Sequence, residues 1–178
     1  MKTFVTSDLH FSHGNILKFC AETRQYDNVD HMNKEMINEW NFTVSTGDLT
    51  YIIGDVAFCN AEKAVQILRS LNGRKILVSG NHDVKLLKDK KFRECFDEIH
   101  NYHEIIWAGT LVCMFHYPIY DHNQASRGSI MLHGHRHGNP HNIPGRIMDV
   151  GMDATGKVVV SLDDIVQKMQ SVQHMGHH

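Results

Sequence analysis

Five apolar segments of this chain each run, directly or after one residue, into an aspartate, asparagine or histidine, and that punctuation limits the fold more than any single motif does. Residues 2–6 lead into Asp8-Leu9-His10, and 49–53 into Gly54-Asp55. Residues 75–79 lead into Gly80-Asn81-His82-Asp83, and 111–115 into His116-Tyr117-Pro118. Residues 130–132 lead into His133-Gly134-His135-Arg136-His137. Short apolar runs bounded by glycine and polar residues read as buried strands. Helical patterns lie between them. Met32, Met36, Ile37 and Trp40 share one face behind Asp30 as N-cap. Ala64, Val65, Leu68 and Leu71 share another over 61–71, with Asn60 as cap and Asn72-Gly73 as stop. Further strands are expected at 104–107, 147–150 and 157–160, with Ala108-Gly109 as the turn into 111–115. A last amphipathic helix is expected at 162–172. Such alternation means an α/β or α+β chain. With no repeat and no low-complexity linker, residues 1–172 form one domain, and 173–178 are expected to be an appended tail.

In open α/β sheets, ligands collect at the carboxyl ends of strands. The five punctuated ends therefore bring Asp8, His10, Asp55, Asn81, His116, His135 and His137 toward one place, although they span about 130 positions. Carboxylate, amide and imidazole together suit Mn, Fe, Ni or Zn better than Ca or Mg, which prefer oxygen alone. One four- or five-coordinate ion cannot use seven ligands; two ions sharing a carboxylate can. Histidine abundance agrees. The chain has 15 in 178 residues, and twelve remain without those of the tail.

Composition narrows the alternatives. Eighteen basic against 20 acidic side chains give a net charge of −2, so the chain has no basic excess for a phosphate backbone. The basic run at 85–93 follows Gly-Asn-His-Asp closely and has two readings, a border of the site that a nuclease would need or, more commonly, a solvated helix face. No stretch approaches the roughly 18–20 apolar residues that span a membrane, and the first residues are too short an apolar run for a signal peptide. Cys20, Cys59, Cys95 and Cys113 form no C-x-x-C pair and read as reduced thiols of a cytoplasmic protein.

Asp8-x-His10, Gly54-Asp55, Gly80-Asn81-His82-Asp83, His116 and Gly134-His135-x-His137 resemble, in order and rough spacing, the five-block signature of the calcineurin-like metallophosphoesterase superfamily. Small stand-alone bacterial and phage phosphoesterases are the nearest type. Arg146–Asp153 is similar to the Val-Gly-x-Asp region that often follows. The resemblance implies an α/β fold in a single domain, a two-sheet β-sandwich flanked by helices. It implies two divalent metals, manganese first, with iron, nickel or zinc as alternatives. Asp8, His10 and His137 would bind one metal and Asn81, His116 and His135 the other, with Asp55 as the bridge. His82 would stand beside them as general acid or phosphate contact. The implied activity is hydrolysis of a phosphodiester or phosphomonoester by a hydroxide held between the metals. A nuclease is the alternative, and an inactive interaction module a more distant one.

Several residues could be mistaken for parts of this centre. Gly47-Asp48 precedes its strand, so Asp48 is a turn residue and only Asp55 lies at the carboxyl end. Asp83 reads as a loop cap or a support for the ligands, and His133 as structural. His13 is a candidate substrate contact together with Asn81 and His82, or else a helix cap; Asn15 has the same two readings. Arg127 and Arg136 match phosphate chemically but read as surface residues. So do His31, His100, His103, His122 and His141, while Trp40 and Trp107 read as core.

Overall fold

The computed structural model describes residues 1–140 and 142–176; His141, His177 and His178 lie outside the described residues. Two sheets pack face to face. The first has strand order β4-β3-β2-β1-β9, from β1 (Thr3–Thr6), β2 (Leu49–Ile52), β3 (Arg74–Val78), β4 (Glu98–His100) and β9 (Val160–Ser161). β1 to β4 are parallel and β9 is antiparallel to β1. The second has the order β5-β6-β7-β8, from β5 (His103–Trp107), β6 (Thr110–Met114), β7 (Ile130–His133) and β8 (Ile147–Asp149). Only its β5–β6 pair is antiparallel. The hairpin register pairs Trp107 with Thr110, and the intervening Ala108 and Gly109 both have positive φ (47° and 77°), as a two-residue hairpin turn requires.

Side-chain alternation builds the layers. Val5, Tyr51, Ile53, Ile76 and Val78 face Val112, Met114, Ile130 and Leu132 across the sandwich. The end of that core is closed by Leu162, Ile165, Val166 and Met169 of a helix over Leu162–Gln170. Phe4, Ile52 and Leu77 point the other way, onto Met32, Met36 and Trp40 of the helix Val29–Thr43 and Ala64, Val65 and Leu68 of the helix Ala61–Ser70. Burying one such side chain contributes about 1.5–3 kcal/mol. Cys113 and Met131 on the outer face of the second sheet pack under Phe115, Ile119 and Ile143. We label the helices α1 (Ile16–Phe19), α2 (Val29–Thr43), α3 (Ala61–Ser70), α4 (Lys90–Arg93), α5 (Met152–Thr155) and α6 (Leu162–Gln170).

The differences from the sequence reading have local causes. The cap of α2 is Asn28, whose side chain accepts from the N–H groups of Asp30 and His31, so Asp30 lies inside the helix. Asn60 caps α3 as expected. Strand pairing near 157–160 is confined to Val160–Ser161, because Val158 and Val159 are buried against the helix side instead. β4 is a polar edge strand with no alternation to announce it. Trp40 is fully buried, but Trp107 is only half-buried and donates its Nε1–H to Asp163 at 2.7 Å. His122 is buried rather than on the surface.

Candidate metal centre

The loops after β1, β2, β3, β6 and β7 meet at one edge of the sandwich. Backbone bonds join the first two: Asp8 N–H donates to Gly54 O (3.1 Å), His10 N–H to Asp55 O (3.0 Å) and Phe11 N–H to Val56 O (3.0 Å). Eight non-glycine residues among those described have positive φ, and five of them are candidate ligands: Asp8, His10, Asp55, His135 and His137. Each such conformation costs on the order of 1–3 kcal/mol, and residues held this way concentrate at functional sites. The loops also approach closely. A side chain on Gly134 would collide with Ser7 and Asp8, and one on Gly80 with the Asp55 carboxylate.

Two donor clusters result. Asp8, His10 and His137 offer ligand atoms within 4.8 Å of one another, and so do Asp55, His116 and His135. In the first, His10 Nε2 and His137 Nε2 each lie 3.8 Å from Asp8 Oδ1. In the second, His116 Nε2 lies 3.3 Å from Asp55 Oδ2 and 3.1 Å from Asn81 Oδ1. His10 Nε2 is 3.7 Å from that same Asp55 oxygen. Ligand atoms each about 2 Å from one ion lie about 3–4 Å apart. Asp8 Oδ1 and both ring nitrogens of His10 are buried without a hydrogen-bond partner among the described residues. Buried polar atoms rarely stay unpartnered, so a cation suits these donors chemically.

The electrostatics show what burial does to such a cluster. Burial pushes Asp8 up to about 6 and His10 down to about 3. For Asp55 burial acts upward, but the His116 hydrogen bond and charge outweigh it and hold the carboxyl at about 2. His116 moves the opposite way, to about 9, because Asp55 and Asp8 outweigh its burial. Its tautomer is anchored from behind by Ile53 O, 2.8 Å from Nδ1.

His82 is exposed. Its backbone N–H donates to Asp55 Oδ1 at 2.9 Å, while its Nε2 reaches within 4.0 Å of Asp55 Oδ2. Asp83 is a loop cap: its buried carboxylate accepts from Asp55 N–H, Val56 N–H and Gly80 N–H at 2.8–2.9 Å, joining two ligand loops. Asp48 stands at the opposite end of β2 and accepts from Lys2 and Ser45. His133 is buried, with Nδ1 2.8 Å from Gly134 O. His13 lies between its two readings: Nδ1 accepts from Ile16 N–H at the start of α1, and its ring centroid is 5.5 Å from that of His10. Asn15 occupies the cap position of α1 without a side-chain capping bond. Arg127 is exposed, and Arg136 donates to Pro140 O.

One supporting pair escaped the sequence reading. Arg24 is buried to 1% exposure and makes a two-pronged bond to Asp153, both contacts at 2.9 Å. It also donates to the backbone carbonyls of Leu9 (2.9 Å) and Asp8 (2.5 Å). Asp153 Oδ2 in turn lies 2.8 Å from His137 Nδ1, which leaves Nε2 for the cluster. Cys20, His137 and Asp153 are also close enough to hold an ion, but the Arg24 guanidinium already neutralises Asp153 there. The only sequence signal was the Asp that ends Val-Gly-x-Asp; nothing near Arg24 marks it.

Comparison with known proteins agrees with this geometry. The calcineurin-like phosphoesterase family model matches residues 1–173. An uncharacterized protein of Methanocaldococcus jannaschii is 34% identical over 177 residues, covering 95% of this chain and 92% of its own length. The gene 66 protein of mycobacterium phage L5 is 26% identical over 193 residues, covering 92% of this chain and 91% of its own. The crystal structure of a protein of unknown function from Aquifex aeolicus superposes with a TM-score of 0.75 at 24% identity, covering 94% of this chain and 98% of that one, and shares the fold. With the family model matching nearly end to end over loops that carry its donor set, this chain belongs to the calcineurin-like phosphoesterase family, and so to the metal-dependent hydrolases of phosphate esters.

Proposed function

We propose that the protein is a dinuclear phosphoesterase acting on a phosphodiester or phosphomonoester of a small molecule or nucleotide. The observation that carries this reading is the position of Asp55 Oδ2, 3.7 Å from His10 Nε2 on one side and 3.3 Å from His116 Nε2 on the other. A single carboxylate within reach of both clusters is what two ions sharing one ligand need. Asp8, His10 and His137 would hold the first ion, Asn81, His116 and His135 the second, and Asp55 both. The mixed donor set fits manganese, iron, nickel or zinc. Bound there, such ions would supply a water of lowered pKa and positive charge for a phosphoryl group.

The chain supplies the rest. Asp83 and the Arg24–Asp153 pair fix the ligand loops, so the donors are set before substrate arrives. His82 is left outside the donor clusters, with its ring exposed, and can give a proton to the departing oxygen or hold a phosphoryl oxygen. Asn81 lines the same opening as His82, and the His13 ring lies 5.5 Å from that of His10. The four free thiols support a reducing compartment, the cytoplasm. Among the described residues no helix is long and apolar enough to cross a membrane. Of the basic run, Lys85 lines the cleft that holds His82 and Asn81, whereas Lys90 pairs with Glu94 at 3.6 Å and Arg93 donates to Leu87 O, so the nuclease reading has one cation of the run at the site.

The test is a grid of Mn, Fe, Ni, Zn and Mg against a chromogenic diester, a chromogenic monoester, cyclic nucleotides and single-stranded DNA. Metal content is measured on the same samples. Turnover of a small ester with two ions per chain is expected. Turnover of DNA alone would move the reading to a nuclease, and full activity with one ion per chain would end the dinuclear one.

A further inference from the structure

The loops after β2 and β3 enclose a second feature beside the donor clusters. An open cleft of about 630 Å³ is lined by Ala57, Phe58, Cys59, Val84 and Leu86 with one cation, Lys85, and it shares His82 and Asn81 with the candidate centre. Its wall is apolar and yet faces solvent: Phe58 is 51% exposed and Val84 59%. Phe58 is not loosely attached. Its N–H donates to Phe11 O at 2.8 Å, and Ala57 pairs with Phe11 in an isolated bridge, so the backbone that carries the ring is fixed. The ring lies 4.3 Å (centroids) from that of His13 and 5.4 Å from that of His82. Phe19, 74% exposed, continues the aromatic strip behind His13 at 6.2 Å.

The Phe58 ring packs against the rings of His13 and His82 and still leaves half of its surface in water, on a backbone that is fixed. Contiguous exposed apolar surface at a polar site marks ligand contact. A larger cleft of about 840 Å³ lies by β9 and α6, lined by Glu39, Asp163, Asp164 and Lys168, but contains none of the candidate ligands.

We infer that this cleft receives the leaving group of the substrate, and that this group carries a flat aromatic ring, a nucleobase or a simple aryl, stacked on Phe58. The inference rests on the phosphoesterase reading with His82 as proton donor. Hydrolysis breaks the bond from phosphorus to the ester oxygen and forms one from phosphorus to the oxygen of water; the departing oxygen takes a proton from His82, and the proton the water gives up to solvent is matched by the one that returns to His82. A donor must come within about 2.6–3.2 Å of the atom it protonates. Whatever is attached to that oxygen must therefore continue past His82, and Phe58 and Val84 form the wall there.

Binding of inert phosphonates reads the cleft without turnover. Calorimetric titration of the manganese-loaded full chain would use methylphosphonate, phenylphosphonate and the methylenephosphonate analogue of adenosine 5′-monophosphate. Stacking on one aromatic side chain predicts that a ring-bearing phosphonate binds roughly 5–100-fold tighter than methylphosphonate. Phe58→Ala should bring that ratio to near one, and Phe58→Trp should keep it. A gain for the adenosine analogue alone identifies a nucleobase; a gain for both identifies any aryl group. A ratio near one in the unmodified protein, or a ratio that survives Phe58→Ala, overturns the inference while methylphosphonate binding leaves the phosphoesterase reading standing. Failure of every phosphonate to bind overturns the inference, and turnover in the metal-by-substrate grid decides the phosphoesterase reading separately.

Discussion

The two halves of the candidate centre are built in opposite ways. Around Asp8 and His10 the chain is closed: Asp8 is 0% exposed and His10 3%, and Arg24 and Asp153 fill the space behind them. Around Asn81, His82 and His135 it is open, and all three residues are exposed, with the buried His116 behind them. The closed half is tied into the fold by charge, since Arg24 bonds Asp153 and the carbonyls of Asp8 and Leu9 at once. The open half is tied by backbone, through the three N–H groups gathered on Asp83. Ligands in the closed half have little room to move, so an ion there would act with the fold. Asn81 and His135 in the open half face solvent, where a substrate can reach them. Asp55 belongs to both, and changing it tests the comparison most severely.

Asp55→Asn is therefore expected to have the largest effect. It removes the negative charge within reach of both clusters, so elemental analysis should show both ions lost and activity at background. Loss of one ion only would show that the halves bind independently. His82→Ala comes next. It should leave two ions bound and lower the rate by roughly 10²–10⁴-fold, the usual worth of a missing general acid. The deficit should grow with the pKa of the leaving group, smallest for a nitrophenolate and largest for a ribose alkoxide. An equal deficit across leaving groups would make His82 a phosphate contact, and the acid would then be sought first at His13.

The open half and the strand framework were the parts most legible in the sequence. Buried strands are short apolar runs, and each ligand loop begins where such a run meets glycine or a polar residue, as at Gly54-Asp55 and Gly80-Asn81. Asn60 was readable as a cap because it precedes a strongly amphipathic segment, whereas Asn28 and Asp30 are both good capping types two positions apart, and only the backbone distinguishes them. β4 was missed because Glu98–His100 is short and polar at a sheet edge. Arg24 was missed for a deeper reason. Its partner Asp153 is 129 positions away, and neither periodicity nor local spacing carries a contact of that range. The left-handed backbone of Asp8, His10, Asp55, His135 and His137 was equally hidden, since nothing in residue type fixes φ.

That hidden support gives the third prediction. Asp153→Asn keeps the size of the side chain but weakens its hold on His137 Nδ1, 2.8 Å away. Affinity for one of the two ions should fall about 10–100-fold, as when other supports behind ligating histidines are changed. The ion that is lost should be the one in the closed half. Both changes break the buried Arg24–Asp153 pair, which costs about 3–5 kcal/mol, and Arg24→Met also removes the bonds to the carbonyls of Leu9 and Asp8. Its melting temperature should fall more than that of Asp153→Asn. Equal loss of both ions in Asp153→Asn would mean that the halves are coupled and the contrast drawn between them is too sharp.

Asp48→Asn is expected to do least. The chain has two Gly-Asp pairs at the two ends of one strand, and only one end carries the candidate ligands. β2 and its flanks separate Asp48 from Asp55 by about 20 Å, from the rise per residue of an extended strand. Asp48 also has its own occupation. It accepts from Lys2 N–H at 2.7 Å and Ser45 N–H at 3.0 Å, tying the start of β1 to the start of β2, and these bonds hold its carboxyl below the usual range. Asparagine keeps one acceptor oxygen and turns an amide toward the other N–H, so the turn loosens locally while the far end of the strand stays registered by the β1–β2 ladder. Metal content should be unchanged, and kcat/KM should stay within about twofold, the range of substitutions remote from a site. A collapse of metal content in Asp48→Asn, measured beside Asp55→Asn, would mean that the wrong carboxylate has been placed between the two halves.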